Sequence, residues 1–204
     1  MEGNNPVADF NAAAVRFGKP GKLYIAPLDD GADPPVATAE PAAVNDVWPA
    51  GWVPLGYTDE GSVFNYELST DNVEVAEELD PIARVTTGRD ASIEFALAEI
   101  TYRNLNIAFN GGIIVGDETA WEFEPPDLGN EQRVMIGWDA YNDPALNDLR
   151  MVFRRCLQGG SLGIENRKGT TKSLISASFQ LEKPFNGDPI LKIFGGAVLN
   201  PLVP

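Results

Sequence analysis

Ala91-Ser92-Ile93-Glu94-Phe95-Ala96-Leu97 decides the fold class. Ala91, Ile93, Phe95 and Leu97 occupy every second position, with Ser92 and Glu94 opposite. Side chains alternate across a strand, so this period of two predicts a β-strand with one apolar and one wet face. The pattern returns at 173–182, where Ile175, Ala177, Phe179 and Leu181 alternate with Ser176, Ser178, Gln180 and Glu182. It is present at 61–68 (Phe64, Tyr66 and Leu68 around Asn65 and Glu67), at 132–138 (Val134, Ile136, Trp138) and at 149–153 (Leu149, Met151, Phe153). Strands with one wet face belong to antiparallel sheets. Turn signals separate them at Pro125-Pro126-Asp127-Leu128-Gly129, Gly159-Gly160 and Asn166-Arg167-Lys168-Gly169.

One segment departs from this period. In 100–110, Tyr102, Leu105 and Phe109 are spaced as on a helix face, and Asn110-Gly111-Gly112 follows as a stop. The reading is a mainly β protein of about seven or eight antiparallel strands, as a β-sandwich or a partly closed barrel, with one short flanking helix. The 204 residues suit a single domain, placed at 22–200, preceded by an N-terminal arm at 1–21. Lys22-Leu23-Tyr24-Ile25-Ala26 reads as a short strand. Eight of the 16 prolines lie in the first 54 residues, and 29–47 reads as a long Pro-rich loop. Structureless segments of this length are uncommon inside a compact monomer, so the arm and this loop are expected to pack on something outside their own domain.

Composition excludes several functions. Fifteen Lys and Arg stand against 30 Asp and Glu, a net charge of −15. Such a chain lacks the cation excess that tight binding to phosphate backbones or anionic membranes requires. There is no histidine, which removes the commonest general base, the Ser-His-Asp and Cys-His arrangements and His-ligated metals. Cys156 is the sole cysteine, so neither an internal disulfide nor a Cys-rich zinc site is expected. The opening Met1-Glu2-Gly3-Asn4-Asn5-Pro6 has neither the basic start nor the apolar run of a signal peptide, and no stretch has the ~20 apolar residues of a membrane span.

The remaining candidates for chemistry are weak. Glu94 with Glu99, Glu122 with Glu124, and Glu77, Glu78 and Asp80 are close carboxylates, but 30 acids in 204 residues place such pairs together by chance. Glu77, Glu78 and Asp80 lack calcium-loop spacing and its turn glycine. Gly111-Gly112, Gly159-Gly160 and Gly195-Gly196 fit no phosphate-binding pattern. Trp48, Trp52, Trp121 and Trp138 would serve a sugar-stacking platform only if exposed, and Trp138 alternates with Val134 and Ile136 as a core residue. Cys156 reads as a small buried hydrophobe. No catalytic, metal-binding or cofactor-binding residue is assigned.

Charge is uneven along the chain. Residues 59–99 carry eleven acids and two bases, net −9, whereas 131–204 carry seven acids and nine bases, net +2. Within the first region a long hairpin loop is read at 69–90, with Asp71, Glu74, Glu77, Glu78 and Asp80 against Arg84 and Arg89. Self-complementarity between copies is one consequence of such asymmetry.

Leu55-Gly56-Tyr57-Thr58-Asp59-Glu60-Gly61, Phe64-Asn65-Tyr66-Glu67-Leu68-Ser69-Thr70-Asp71, Val73-Glu74-Val75-Ala76-Glu77-Glu78-Leu79-Asp80-Pro81 and Arg89-Asp90-Ala91-Ser92-Ile93-Glu94-Phe95, followed by Thr101–Leu105 and Asn110-Gly111-Gly112, carry a resemblance. In this text and order the chain resembles the major tail tube proteins of long-tailed, non-contractile bacteriophages, especially those infecting actinobacteria. The likeness is clearest over 52–112 and extends to 183. It implies a β-sandwich or barrel with one helix, made in the host bacterial cytoplasm and resident in the virion tail. Its subunits would form hexameric rings that stack into a tube. That tube would house the tape-measure protein, meet tail-end proteins and pass DNA without gripping it, with no enzymatic activity, no cofactor and no membrane. Under this resemblance 61–68 pairs with 91–98, Asn65, Glu67, Ser92 and Glu94 face the lumen (with Ser176, Ser178 and Gln180 as further candidates), and the 69–90 loop reaches a neighbouring subunit or ring. Phe64, Tyr66, Ile93 and Phe95 are expected to point into the core. Outside the resemblance, the alternatives are another virion β-sandwich, such as a decoration or connector subunit, and a carbohydrate-binding module.

Overall fold

The computed structural model describes residues 21–29, 36–77, 80–117, 119–140, 148–165 and 172–196. Its strands are β1 (Lys22–Asp29), β2 (Val36–Ala37), β3 (Val53–Pro54), β4 (Thr58–Val73), β5 (Ala83–Leu97), β6 (Ile113–Gly116), β7 (Trp121–Glu124), β8 (Val134–Ala140), β9 (Leu149–Gln158), β10 (Gly163–Glu165), β11 (Leu174–Leu181) and β12 (Leu191–Gly195), with one helix, α1 (Tyr102–Ala108). More strands form than the alternation predicts, because β2, β3, β6, β7, β10 and β12 are too short or too exposed to carry a periodic signal.

All pairings are antiparallel, and the main path runs β2-β1-β8-β9-β11-β5-β4. The path ends at β2 and β4 without closing, so the sandwich is adopted rather than the barrel. The fold-over occurs in β9. Its first half pairs β12, as Leu191↔Phe153, and its last residues pair β11, as Leu181↔Cys156. Between them the register against β8 shifts, from Ile136↔Phe153 to Val134↔Cys156. A bulge bends the strand that carries it, and here it passes β9 from one layer to the other.

The two layers enclose one apolar core. Leu23 and Ile25 (β1), Ile136 (β8) and Phe153 and Cys156 (β9) meet Ile93, Phe95 and Leu97 (β5), Ile175, Ala177 and Phe179 (β11) and Leu105, Ile107 and Ala108 of α1. Phe64 of β4 packs on Phe153 across the layers, ring centroids 5.4 Å apart. The alternation read for 91–97 and 173–182 therefore matches the side that is buried. The helix is also present. Thr101 Oγ1 caps it by accepting from the Asn104 amide at 3.2 Å, and Asn110, Gly111 and Gly112 end it with positive φ, a conformation that glycine adopts without strain.

The 29–47 segment departs from expectation. Its described part, with the residues up to Pro54, packs on its own protein. Trp48 and Trp52 join Tyr24, Ala26, Met135 and Val152 on the outer face of β1, β8 and β9. Trp48 stacks on Tyr24 at 4.7 Å. Gly137 lies beneath it: a Cβ there would sit 2.2 Å from the Trp48 ring. The strands β2 and β3 pair β1 along the side not taken by β8. The segment is thus a strap that covers both an apolar sheet face and a strand edge, two surfaces that are unfavourable to leave open to water. The 1–21 arm lies outside the described residues except for Gly21.

Candidate functional site

The polar face of the β4-β5-β11 layer brings together most of the residues singled out for the lumen. Pairing sets its rows. Val63, Glu94 and Ser178 form one, Asn65, Ser92 and Gln180 the next, and Glu67 with Asp90 the third. Asn65 Nδ2 donates to Glu94 Oε1 at 3.2 Å and to Ser92 Oγ at 3.5 Å. Glu67, Asn65 and Glu94 are exposed, and Ser92 is covered by its neighbours. Among the described residues, none of Glu67, Asp90 and Glu94 has an ion-pair partner. At the far end of the same face Lys172 Nζ pairs with the Asp59 carboxylate. Among the described residues the result is a surface of carboxylates, amides and hydroxyls, with Val63 and Val85 exposed between them, and without an aromatic ring or an unpaired cation.

The segment read as a loop at 69–90 is mostly ladder. Pairing continues through Ser69↔Gly88, Thr70↔Thr86, Asp71↔Val85 and Asn72↔Arg84 to Val73↔Ala83, with a register shift after Ser69. The connection is only 74–82. Asp71, Arg84 and Arg89 are therefore strand residues, Glu74, Glu77 and Asp80 sit in the connection, and Glu78 lies outside the described residues. The cause is that this stretch has no partner layer, so both faces are wet and the strands lose the apolar alternation that marks them in sequence. The same fact corrects Tyr66. It shares the face of Phe64 but is 49% exposed, because β4 outruns the sheet opposite and only Phe64 reaches the core.

The other candidates resolve in the same terms. Cys156 lies inside β9 and is fully buried, which pushes its thiol pKa far up and leaves it unreactive. Among the described residues there is no cluster of acids and thiols able to hold a metal ion, and no helix is long and apolar enough to cross a membrane. Trp52 is buried, Trp48 is stacked into the strap, Trp138 packs against the core, and Trp121 alone is exposed.

Sequence reasoning did not find the buried charges beneath the strap. Arg150 (β9) holds Asp139 (β8) through two hydrogen bonds, and also donates to the carbonyls of Ala43 at 3.0 Å and Asp46 at 2.8 Å. Trp48 Nε1 donates to the same Asp139 at 2.8 Å. Nothing in the local text of residues 43, 48, 139 and 150 signals that they meet. A second pair, Arg154 with Glu40 at 2.5 and 3.0 Å, ties the strap further along, and the Glu40 carboxylate raises the Arg154 pKa.

A family model described as phage tail tube protein matches residues 8–139, well over half of the 204. The chain belongs to the phage tail tube protein family. No curated protein matches it. The matched span takes in the strap, the long hairpin, the helix and β8, and begins within the N-terminal segment. Membership makes the chain a structural component of the virion tail.

Proposed function

We propose that this tail tube protein assembles into hexameric rings that stack into the tube of a long-tailed, non-contractile phage of the actinobacteriophage type. On this reading it is made in the host cytoplasm, the bore houses the tape-measure protein during assembly and passes DNA during infection, and tail-end proteins close the stack. The observation that carries the reading is the polar face of β4, β5 and β11. Turned to the axis, Glu67 and Glu94 repel phosphate, and Asn65 and Ser92, with Ser178 and Gln180 beside them, give bases no ring to stack on. A wall of this kind lets DNA slide.

Two further features support assembly. Among the described residues β4 is paired on one side only, by β5, along its 16 residues. A long open edge invites pairing with another chain. The connection 74–82, with Glu74, Glu77 and Asp80, follows the far end of the ladder at Val73↔Ala83 and on this reading meets an adjacent subunit or ring, and Asp71, Arg84 and Arg89 lie on the stem that carries it.

Electron microscopy of the purified chain tests the reading. Tubes or stacked six-fold rings with Glu67 and Glu94 toward the bore are expected. Discrete trimers would instead indicate a decoration subunit, and a glycan-binding monomer a carbohydrate module.

A further inference from the structure

The outer part of the β4–β5 hairpin sorts its charges by face. On the side that continues the polar sheet lie Glu67, Asp71, Asp90 and Glu94. On the opposite side the cross-strand pairs are Tyr66↔Ala91, Leu68↔Arg89, Thr70↔Thr86 and Asn72↔Arg84. Every charged residue of the paired strands from Ser62 to Val73 and from Ala83 to Leu97 obeys this division: four carboxylates on one face, two guanidiniums on the other. Tyr66 and Leu68, half-exposed at 49% and 51%, add apolar surface to the arginine side. Among the described residues neither Arg84 nor Arg89 has an ion-pair partner.

The hairpin β6–β7 is opposite in kind. Its inner side is Ile114 with Phe123, and Phe123 packs on Phe109 behind it. Its outer side pairs Ile113 with Glu124 and Val115 with Glu122. Ile113 and Val115 are 63% and 62% exposed, both glutamates are exposed, and neither has an ion-pair partner among the described residues. One surface offers two cations around an aromatic and an aliphatic group. The other offers two carboxylates around two aliphatic groups.

We propose that the Tyr66–Leu68–Arg84–Arg89 side of the long hairpin docks on the Ile113–Val115–Glu122–Glu124 face of a second copy of this chain. The two patches differ, so the contact is heterologous and repeats from copy to copy, as a ring or tube needs. The proposal rests on the tube reading and specifies it. The guanidinium side of the hairpin makes the contact, and the acidic side stays free to face the bore.

The test uses the full chain, with assembly followed by sedimentation and electron microscopy. Arg84→Glu with Arg89→Glu should raise the concentration needed for assembly by about tenfold or more, because like charges then face each other. Glu122→Arg with Glu124→Arg should do the same. Combining all four changes should restore assembly to within about threefold of the parent, since the pairing is swapped rather than lost. Circular dichroism of the unassembled variants checks that each is folded. A second arm places Leu68→Cys and Val115→Cys in one chain. Oxidation of the assembled protein should give a ladder of covalent oligomers, and buried Cys156 does not contribute. Tubes that form normally with both arginines reversed, a fourfold variant that stays defective, or tubes that give no ladder would each overturn the proposal while the tube reading stands. A parent chain that forms neither rings nor tubes would defeat the tube reading itself, and the proposal with it.

Discussion

Asp139 accepts two hydrogen bonds from Arg150, at 2.6 Å from Nε and 3.0 Å from Nη2, with both side chains buried. The pair joins β8 to β9 beneath the strap, and Trp48 covers it, with the Arg150 guanidinium 4.5 Å from the ring centroid. The two donors of its Nη1 hold the carbonyls of Ala43 and Asp46, so one guanidinium fastens two strands and the loop above them. Breaking a buried pair leaves an uncompensated charge away from water. Asp139→Asn is expected to cost about 3–5 kcal/mol in chemical denaturation. Hydrogen exchange over 43–55 should rise more than in the β5–β11 core. Arg150→Lys should destabilise as well, because an ammonium cannot reproduce the two-pronged contact. Unchanged exchange in the strap would refute this account.

Gly137 is a packing requirement at Trp48. Gly137→Ala puts a methyl group 2.2 Å from the indole, against an aromatic held on its other side. The expected loss is about 1–3 kcal/mol, as for other overpacked sites. Trp48→Ala in the same chain should make the alanine at 137 nearly neutral. A double-mutant cycle on thermal unfolding measures the coupling, and additive effects would mean that the two do not collide.

Glu67 and Glu94 test the bore. Replacing both with Lys should leave folding and assembly intact, because both are exposed and outside the core. DNA ejection should slow or stall, because phosphates would then meet a cationic wall. Normal ejection kinetics, or a tube structure with both residues on its outside, would remove them from the lumen.

The hairpin tip is separable from the sandwich. Replacing 74–82 with a two-residue Asn-Gly turn leaves the ladder from Val73↔Ala83 inward and every core residue in place. The shortened chain should melt like the parent yet fail to form tubes of normal length in electron microscopy. Normal tubes would show that the tip makes no required contact.

The turn of β6–β7 gives a pH signature. Asp117 accepts from the Thr119 hydroxyl at 2.5 Å, then from the amides of Thr119 at 2.8 Å and Ala120 at 3.1 Å, and these bonds lower its pKa below 3.8. A lowered folded-state pKa means that the stabilisation is present above the unfolded value and is lost as pH falls through the folded one. Thr119→Val removes the largest contribution, so the Asp117 titration midpoint should move up toward 3.8 by carboxyl-carbon NMR. A midpoint that stays put would show that the amides alone hold the carboxylate.

The sequence by itself determined the strand class, the buried faces of β5 and β11, a short helix within 100–110 with its glycine stop, the lack of histidine chemistry and, through its text, the family. These are local properties: a period of two or of 3.6 needs only a dozen residues to be read, and composition needs none in particular order. Tertiary structure alone decided the rest. Tyr66 alternates as correctly as Phe64, yet only Phe64 finds a facing layer, so burial depended on where the opposite sheet stops. The ladder beyond Ser69 looked like loop because nothing covers it, and strand alternation is written into a sequence only where one side is dry. The strap looked foreign to its domain because its partner Arg150 lies more than a hundred residues from Ala43 and Asp46, and the contact is made by burying opposite charge and aromatic surface that no local pattern records. The sorting of Glu67 and Asp90 from Arg84 and Arg89 onto opposite faces likewise follows from strand register, which is set by pairing and a bulge rather than by the order of residues.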